Sequence, residues 1–186
     1  MAQLRTLPPR LTPEEYLEGE KIAEVRHEFV DGFVYAMVGT SLRHSDIKMN
    51  ITAWLRSRMP TGCGLYNGDV KLMVRADTDT SFYYPDVFVS CGPREPEAHY
   101  LRDATLVVEI LSPSAERTDR GEKFQAYTAM SSVTDYMLVS QDGACVEVFR
   151  RQHGWKREIY AMGDVIALDA IQHPLPVAEI YRDIPF

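Results

Sequence analysis

Two carboxylates lie where strand-forming neighbours make a charge costly. Asp86 follows Pro85 at the start of the run 87–89, and Glu109 interrupts the apolar run 105–111. An ionised carboxylate in such a place costs several kcal/mol unless a positive or hydrogen-bonding group compensates it. Mg²⁺ is one such partner, since one or two carboxylates, water and substrate phosphate oxygens bind it. Taken singly, either acid is better explained by a strand end that faces water.

A third feature is a helix that follows the Glu109 strand after a short loop. The segment 119–131 predicts this helix, on which Lys123 and Tyr127 are four residues apart and share a face. The short loop places the helix near the C-terminal end of the strand. The same letters also fit a solvated first turn, with Asp119 as cap and Glu122 completing a capping box. That alternative leaves the orientation of Lys123 open.

These features, in their order and spacing, resemble the Uma2 family of restriction-endonuclease-like proteins, which belongs to the PD-(D/E)xK nuclease superfamily. The main motifs are Tyr84-Pro85-Asp86-Val87, Val107-Val108-Glu109-Ile110-Leu111-Ser112-Pro113-Ser114 and Asp119-Arg120-Gly121-Glu122-Lys123-Phe124-x-x-Tyr127. Further similar segments are Glu28-x-x-Asp31-Gly32-x-Val34-Tyr35-Ala36-Met37, His44 and Pro176-x-x-Glu179-Ile180-Tyr181. The resemblance covers residues 12–184.

The resemblance implies a metal site and its ligands. In that superfamily the two acids, here Asp86 and Glu109, hold one or two Mg²⁺ ions, for which Mn²⁺ substitutes. The backbone carbonyl after the second acid, here Ile110, commonly assists. A lysine two residues past the second acid usually positions the attacking water, but Leu111 occupies that place here. Lys123 is the candidate for a migrated lysine that takes over this role.

The implied function is Mg²⁺-dependent endonuclease activity, in which phosphodiester bonds of DNA are hydrolysed. Lys123 would position the water or stabilise charge in the transition state. The alternative is a catalytically lapsed nuclease-fold protein that binds nucleic acid or a protein partner, which Leu111 and the acidic pI favour. A third and weaker interpretation is a metal-dependent phosphohydrolase that acts on small phosphorylated molecules.

Glu28 is a further catalytic candidate, and His44, Tyr127 and Asp69 are secondary candidates for the same site. Glu28 resembles the N-terminal acid that approaches the metal in the superfamily, but it also fits a surface strand. His44 and Tyr127 share helix faces with apolar residues, so a packed core position explains either of them as well. Asp69 is an outer candidate, because it lies two residues from Lys71 and the two side chains can pair on one strand face.

The charge balance sets expectations about partners. The net charge is −7 and the pI is about 5.2, so we expect contact with DNA to be weak, salt-sensitive and dependent on Mg²⁺. The candidate nucleic-acid contacts are Arg43, Lys48, Arg117 and Arg120. A helix face of one charge sign is more often simply solvated. A homodimer is expected because the superfamily commonly cleaves duplexes as dimers and because the late hairpins, 145–160, expose strand edges.

The elements that must position these residues follow from hydrophobic periodicity and turn signals. Helices are predicted at 13–18, 41–59 and 119–131, and a hairpin at 27–38 around Asp31-Gly32. Strands are predicted at 65–75, 84–90, 105–111, 134–140, 145–151, 155–160 and 165–168, with turns at 77–80 and 142–143. The order predicts an α+β or α/β fold, a restriction-endonuclease-like mixed sheet flanked by helices.

Length and composition predict one domain. The 186 residues divide into an N-terminal arm, 1–11, and a single domain, 12–186. No run of about 18 apolar residues predicts a membrane span, and the N-terminus lacks the apolar segment of a secretion signal. Cys63, Cys91 and Cys145 are widely spaced, which predicts reduced thiols and a cytoplasmic location.

Overall fold

The computed structural model describes residues 10–76 and 79–186. Mixed sheets flanked by helices form the fold, as predicted. Residues 1–9 of the predicted arm and residues 77–78 of the predicted turn lie outside the described residues. At the start of the described chain, the amide of Leu11 donates to the carbonyl of Gly32 at 2.9 Å, so this end is tied to the first hairpin.

A six-stranded sheet carries the two acids at its centre. Its order is β11 (Arg157–Ala161), β10 (Cys145–Arg150), β9 (Asp135–Val139), β8 (Leu106–Ile110), β6 (Val87–Ser90) and β3 (Gly64–Asn67). Only the pair β8–β9 is parallel among these neighbours. Every residue of β8 is buried, which explains its nearly continuous apolar sequence because helices cover both faces.

A five-stranded sheet stands beside it. Its order is β2 (Phe33–Ala36), β1 (His27–Val30), β5 (Asp79–Tyr83), β4 (Lys71–Ala76) and β7 (Tyr100–Leu101). Asp31 and Gly32 connect β1 to β2 with positive φ angles of 49° and 83°, as the predicted type I′ turn requires. A third, two-stranded sheet pairs β12 (Val165–Leu168) with β13 (His173–Pro176).

Helices pack on both faces of the six-stranded sheet. The α-helices of the described residues are α1 (Pro13–Glu20), α2 (Leu42–Arg56), α3 (Glu116–Arg120), α4 (Glu122–Ala129) and α5 (Val177–Ile180). Helix α1 differs in that it packs Tyr16 against Phe29 and Phe82 of the five-stranded sheet. Helix α2 buries Ile47 and Ile51 on the face that includes Val108. Helix α4 buries Tyr127 against Tyr136 on the opposite face. No helix in the described ranges combines the length and apolar character needed to cross a lipid bilayer.

Several predicted boundaries are wrong. The predicted strand 65–75 is two strands, β3 and β4, because the turn at 68–70 separates them. Strand β5 includes residues assigned to a turn, and Pro85 then separates it from β6. The helix predicted at 119–131 begins at Glu116 and breaks at Gly121. Strand β13 was not predicted, since it contains two prolines, which donate no ladder hydrogen bonds.

The expectation of reduced thiols is wrong for two of the three cysteines. Cys63 and Cys91 form a disulfide, with a Cα–Cα distance of 4.1 Å, and Cys145 is free. The reason is the antiparallel register of β3 and β6, in which Gly64 pairs with Ser90. The residues just beyond that pair are therefore opposite one another, although 28 positions separate them in the sequence.

Candidate active site

The two predicted acids meet at one point between adjacent strands. Strands β6 and β8 are antiparallel, and Val87 pairs with Val108, so Asp86 and Glu109 follow next in the register. The amide of Asp86 donates to Glu109 Oε2 at 3.2 Å, and the amide of Ile110 donates to Asp86 Oδ2 at 2.8 Å. These crossed hydrogen bonds fix both carboxylates at the strand ends.

Lys123 reaches the acids from helix α4. Its ammonium lies 2.9 Å from Glu28 Oε1, 3.2 Å from Glu109 Oε1 and 3.5 Å from Asp119 Oδ1, and the residue is 7% exposed. One helical turn later, the hydroxyl of Tyr127 donates to Glu109 Oε1 at 3.1 Å. The spacing of four residues therefore brings an ammonium and a phenol onto the same carboxylate oxygen.

Glu28 reaches the site from the five-stranded sheet. It lies on β1, and its Oε1 accepts a hydrogen bond from the Tyr84 amide at 3.2 Å and lies 2.9 Å from the Lys123 ammonium. Tyr84 lies between β5 of the five-stranded sheet and β6 of the six-stranded sheet. The site is therefore at the junction of the two sheets, and Glu28 joins them through Lys123.

His44 contacts the first acid from helix α2. Its Nε2 lies 3.1 Å from Asp86 Oδ2, and the residue is 4% exposed. Its amide is also held, because Ser41 caps the helix and accepts a hydrogen bond from it at 3.1 Å. The Nδ1 atom is buried without a hydrogen-bond partner in the described part of the chain. The histidine thus combines a core position with a contact to the site.

Sequence reasoning missed Asp119 as a site residue. The sequence allows Asp119 to be a solvated cap, but the residue lies inside α3 and is 2% exposed. Its Oδ1 has no hydrogen-bond partner among the described residues, although the Lys123 ammonium is 3.5 Å away. Burial raises the pKa of Asp119 to about 6 against the pull of Lys123. The signal in the sequence was its spacing of four from Lys123.

Negative charge exceeds positive charge in this cluster. Three carboxylates contact the single ammonium of Lys123, those of Glu28, Glu109 and Asp119, and a fourth, that of Asp86, contacts His44. Burial raises the pKa of Glu109 well above its usual value; Lys123 opposes this shift, whereas the neighbouring carboxylates add to it. Burial alone would lower the pKa of Lys123, but the carboxylates outweigh it and hold the pKa well above normal. The ammonium is therefore charged, and the carboxylates lack full compensation.

The donor set fits a hydrated hard cation. Within the described residues, no group of three or more His, Cys, Asp or Glu side chains is arranged to hold a metal ion. Mg²⁺ requires fewer protein ligands, since it keeps several waters. The unpartnered Oδ1 of Asp119 and the uncompensated carboxylates are what an added cation would stabilise. Asp86 and Glu109 therefore fit this metal.

Asp69 lies outside the candidate site, and Leu111 lies in the hydrophobic core. Asp69 is exposed and pairs with Arg26, its Oδ1 lying 2.7 Å from Nη2. The expected pair of Asp69 with Lys71 is wrong, because Asp69 lies in the turn before β4 rather than on its face. Leu111 packs with Tyr127 in the core, so an apolar side chain fills the usual position of the lysine.

The four residues predicted to contact nucleic acid differ in how far other residues already engage their side chains. Arg43 donates to the Gln141 carbonyl at 3.1 Å. Arg120 is held by Glu116 and, through two hydrogen bonds of 2.8 and 2.6 Å, by Glu147. These carboxylates take up its donors, which argues against a phosphate contact by Arg120. Lys48 is half-buried and Arg117 is exposed.

The fold and the strand-end acids define the class as restriction-endonuclease-like. A crystal structure from Anabaena variabilis ATCC 29413, described as "a putative nuclease belonging to DUF820", superposes with a TM-score of 0.73 at 19% identity. The superposition covers 94% of this chain and 98% of that one. At this identity the likeness concerns the fold, and it confirms the predicted mixed sheet flanked by helices.

The chain belongs to the Uma2 family, as the motifs predicted. The family model, described as "Putative restriction endonuclease", matches residues 13–177. Two relatives come from Synechocystis sp. (strain ATCC 27184 / PCC 6803 / Kazusa). Uncharacterized protein slr1290 is 35% identical over 183 residues, which cover 96% of this chain and 95% of the relative. Uncharacterized protein sll1609 is 28% identical over 151 residues, which cover 76% and 81%.

Proposed function

We propose that this protein is a Mg²⁺-dependent endonuclease that hydrolyses phosphodiester bonds in DNA. The observation that carries the proposal is the buried excess of carboxylates around Lys123 at the ends of β6 and β8. Buried charges in proteins are paired or coordinate metals. A divalent cation bound there would supply the compensation that the protein itself does not.

Asp86 and Glu109 would hold the metal, and the backbone carbonyl of Ile110 would assist. Bound there, Mg²⁺ supplies polarisation of a phosphoryl oxygen and a lower pKa for its water. The Ile110 amide and His44 already hold one oxygen of Asp86, and the Asp86 amide holds one oxygen of Glu109. These contacts fix the orientation of both carboxylates. His44 is thus a positioning residue for Asp86, and Tyr127 is one for Glu109.

Lys123 would orient the attacking water or stabilise the charge that develops on the phosphate. Its ammonium already lies 3.2 Å from Glu109, so it is within reach of a group bound beside that carboxylate. Glu28 and Asp119 hold it there from two other elements. This arrangement supports a migrated lysine in the role that Leu111 cannot perform.

Plasmid nicking in Mg²⁺ or Mn²⁺ tests the proposal. We expect Asp86→Asn and Glu109→Gln to lose activity by about 100-fold or more, since each removes a charge at the reacting centre. Asp69→Asn is the matched control, because it removes an exposed carboxylate that pairs with Arg26. Equal nicking by all four proteins would identify a contaminant and refute the assigned site.

The alternative is a lapsed nuclease fold that binds nucleic acid or a protein partner. The observation that favours it is the apolar Leu111 in the usual lysine position, buried beside Tyr127. A lapsed protein would retain DNA in a filter-binding assay without nicking it at any divalent-cation concentration. Nicking that requires Lys123 contradicts this alternative.

The expected partners belong to the same proposal. DNA contact would be weak and salt-sensitive because the chain carries a net charge of −7. A homodimer would cover an edge such as β11, which has a neighbour on one side only. Sedimentation at several salt concentrations, with and without a DNA duplex, measures both expectations. A cytoplasmic location is proposed as well, although the Cys63–Cys91 disulfide removes two of the three reduced thiols on which that expectation was based.

A further inference from the structure

Strand β2 presents an exposed tyrosine beside the candidate active site. All ten tyrosines lie in the described part of the chain, and Tyr35 is the most exposed of them, at 54%. In the antiparallel pairing of β1 with β2, Tyr35 lies directly opposite Glu28. Side chains that are opposite one another in such a pair leave the sheet on the same face, with Cβ atoms about 4.5–5.5 Å apart. Tyr35 therefore lies on the face from which Glu28 reaches Lys123.

The exposed apolar surface continues from β2 to the start of α2. Met37, Val38 and Leu42 are 36%, 73% and 85% exposed. Leu42 is the first residue of α2, the helix from which His44 contacts Asp86. The exposed segment therefore links the two elements that place Glu28 and His44 in the candidate site. We call its exposed side chains the apolar rim, which consists of Tyr35, Met37, Val38 and Leu42.

The segment that carries the apolar rim contains no charged residue. Residues 33–42 have the sequence FVYAMVGTSL. Edge strands such as β2, which has a neighbour on one side only, are usually protected by charged side chains, so an uncharged and exposed edge indicates a binding surface. Phosphate backbones are neutralised by Lys and Arg, which this segment lacks. Its aromatic and aliphatic side chains instead match the faces of nucleobases.

An unpaired strand fits this surface better than a continuous duplex. Bases in a duplex are stacked between their neighbours, whereas unpaired bases can turn outward and stack on aromatic side chains. The charge of the protein favours the same choice. The chain has a net charge of −7, and a duplex presents one negative charge per about 1.7 Å of its length, which is twice the density of one of its strands. Repulsion is therefore weaker for a single strand.

We propose that Tyr35 is a stacking platform for an unpaired nucleobase and that the substrate of the candidate site is single-stranded or locally unpaired DNA. Negative supercoiling favours such unpaired segments in a plasmid. Tyr35 binds a base close to the phosphate that lies at Asp86 and Glu109, and the rest of the apolar rim excludes water from the stacked base. The position of the base relative to the cleaved phosphate rests on the proposed nuclease function, whereas stacking of an unpaired base does not.

Fluorescence anisotropy with three DNA probes tests the proposal. The probes are a single-stranded 12-mer, an abasic 12-mer that keeps the phosphates but lacks the bases, and the duplex of the first 12-mer; the Glu109→Gln background prevents cleavage. We expect the single strand to bind more tightly than the duplex and about tenfold more tightly than the abasic 12-mer. Tyr35→Ala should abolish the difference between the natural and the abasic 12-mer, and Tyr35→Phe, which keeps the ring, should retain it. Val165→Ala is the matched control, because Val165 on β12 is similarly exposed, at 52%.

Three results would overturn the proposal. They are equal affinity for the natural and the abasic 12-mer, tighter binding of the duplex than of the single strand, and no binding of any probe. Sedimentation adds a further test. A dimer of the unmodified protein that becomes a monomer in Tyr35→Ala would show that a second copy of the chain covers the apolar rim, which contradicts the proposal.

Photocrosslinking to a protein that keeps Tyr35 guards against a variant that fails to fold. The probe is the single-stranded 12-mer with 5-iodouracil at one position, bound to Glu109→Gln. Light breaks the carbon–iodine bond, and the freed base carbon bonds to an adjacent aromatic ring with loss of hydrogen iodide. We expect mass spectrometry to locate the crosslink at Tyr35. Crosslinks at other residues with none at Tyr35 would contradict the assignment.

Plasmid nicking separates this proposal from the proposed function. If nicking is lost in Asp86→Asn but the natural and abasic 12-mers bind equally, the stacking platform is refuted and the nuclease assignment stands. If the protein prefers the natural 12-mer through Tyr35 but never nicks DNA, the nuclease assignment is refuted and the stacking platform stands.

Discussion

Lys123 and Lys71 are equally buried but are surrounded by opposite chemistry. They are 7% and 8% exposed, respectively. Three carboxylates contact the ammonium of Lys123, which holds its pKa well above the usual value against the effect of burial. Two tyrosine rings flank Lys71, whose pKa burial lowers while Glu20 opposes the shift. Burial alone therefore does not assign a role to a lysine; the charges that face it do.

Removal of the Lys123 charge should have the largest effect. Lys123→Met leaves Glu28, Glu109 and Asp119 buried without their cation, and breaking a buried ion pair in this way costs about 3–5 kcal/mol. We expect a drop of this size in the free energy of unfolding, measured by urea denaturation at neutral pH without divalent cations. Nicking should fall by about 100-fold or more. A stability equal to that of the unmodified protein would show that the cluster is not charged as described.

Glu109→Gln separates stability from activity. The substitution keeps the shape of the side chain and removes one of the three carboxylates that share a single ammonium. In the absence of divalent cations we expect a free energy of unfolding equal to or above that of the unmodified protein, because the pKa of Glu109 is raised by burial. Nicking is nevertheless expected to be lost. Strong destabilisation by this variant would mean that Glu109 is a structural partner of Lys123 rather than a metal ligand.

Lys71→Met should change stability little, in contrast to Lys123→Met. The substitution removes a charge whose pKa burial lowers and which has no ion pair among the described residues. It also forfeits contacts with two aromatic rings, each worth roughly 0.5–2 kcal/mol. We expect the two effects to cancel to within about 1 kcal/mol in the same urea experiment. A loss as large as that of Lys123→Met would show that Lys71 has a structural partner and would remove the contrast between the two lysines.

The smallest effect concerns an ion pair far from either lysine. Burial alone would raise the pKa of Glu158, but hydrogen bonds from Arg150, His153 and Tyr160 outweigh it and lower the pKa to about 2. A carboxyl with a depressed pKa stabilises the fold above its unfolded-state pKa, and that contribution is lost as pH falls through the folded-state value.

Stability measured from about pH 5 down to pH 2 should therefore fall less steeply in Glu158→Gln than in the unmodified protein. Glu179→Gln is the control, since Glu179 is a partly exposed residue on α5 that pairs with Arg182 at 3.2 Å. Identical pH profiles for Glu158→Gln and the unmodified protein would show that this ion pair does not contribute.

The site residues that could be predicted from the sequence are those that short-range patterns mark. Asp86 could be located because it begins a strand-forming run after Pro85, and Glu109 because it interrupts one. Lys123 could be located because helical spacing and the family motif coincide there. The position of Asp119 inside a buried helix could not be located in this way, since the same letters also satisfy a solvated cap. What distinguishes the two is the packing of α3 and α4 against the sheet.

Contacts between segments that are distant in the chain could not be predicted from the sequence. The partner of Asp69 is Arg26 on another segment rather than Lys71 two residues away, and the disulfide joins strands whose register no local pattern specifies. The convergence of Glu28 on Lys123 likewise depends on how two sheets meet. Contacts of this kind arise from strand pairing between distant segments, which alternation and turn signals do not encode.

Titration of the metal-free protein with Mn²⁺ tests the central claim most directly. If the carboxylates around Lys123 are compensated by a divalent cation at Asp86 and Glu109, calorimetry will show saturable binding to the unmodified protein and to Asp69→Asn. The same binding will be lost in Asp86→Asn. Equal heats for Asp86→Asn and the unmodified protein, or no binding to either, would contradict the account.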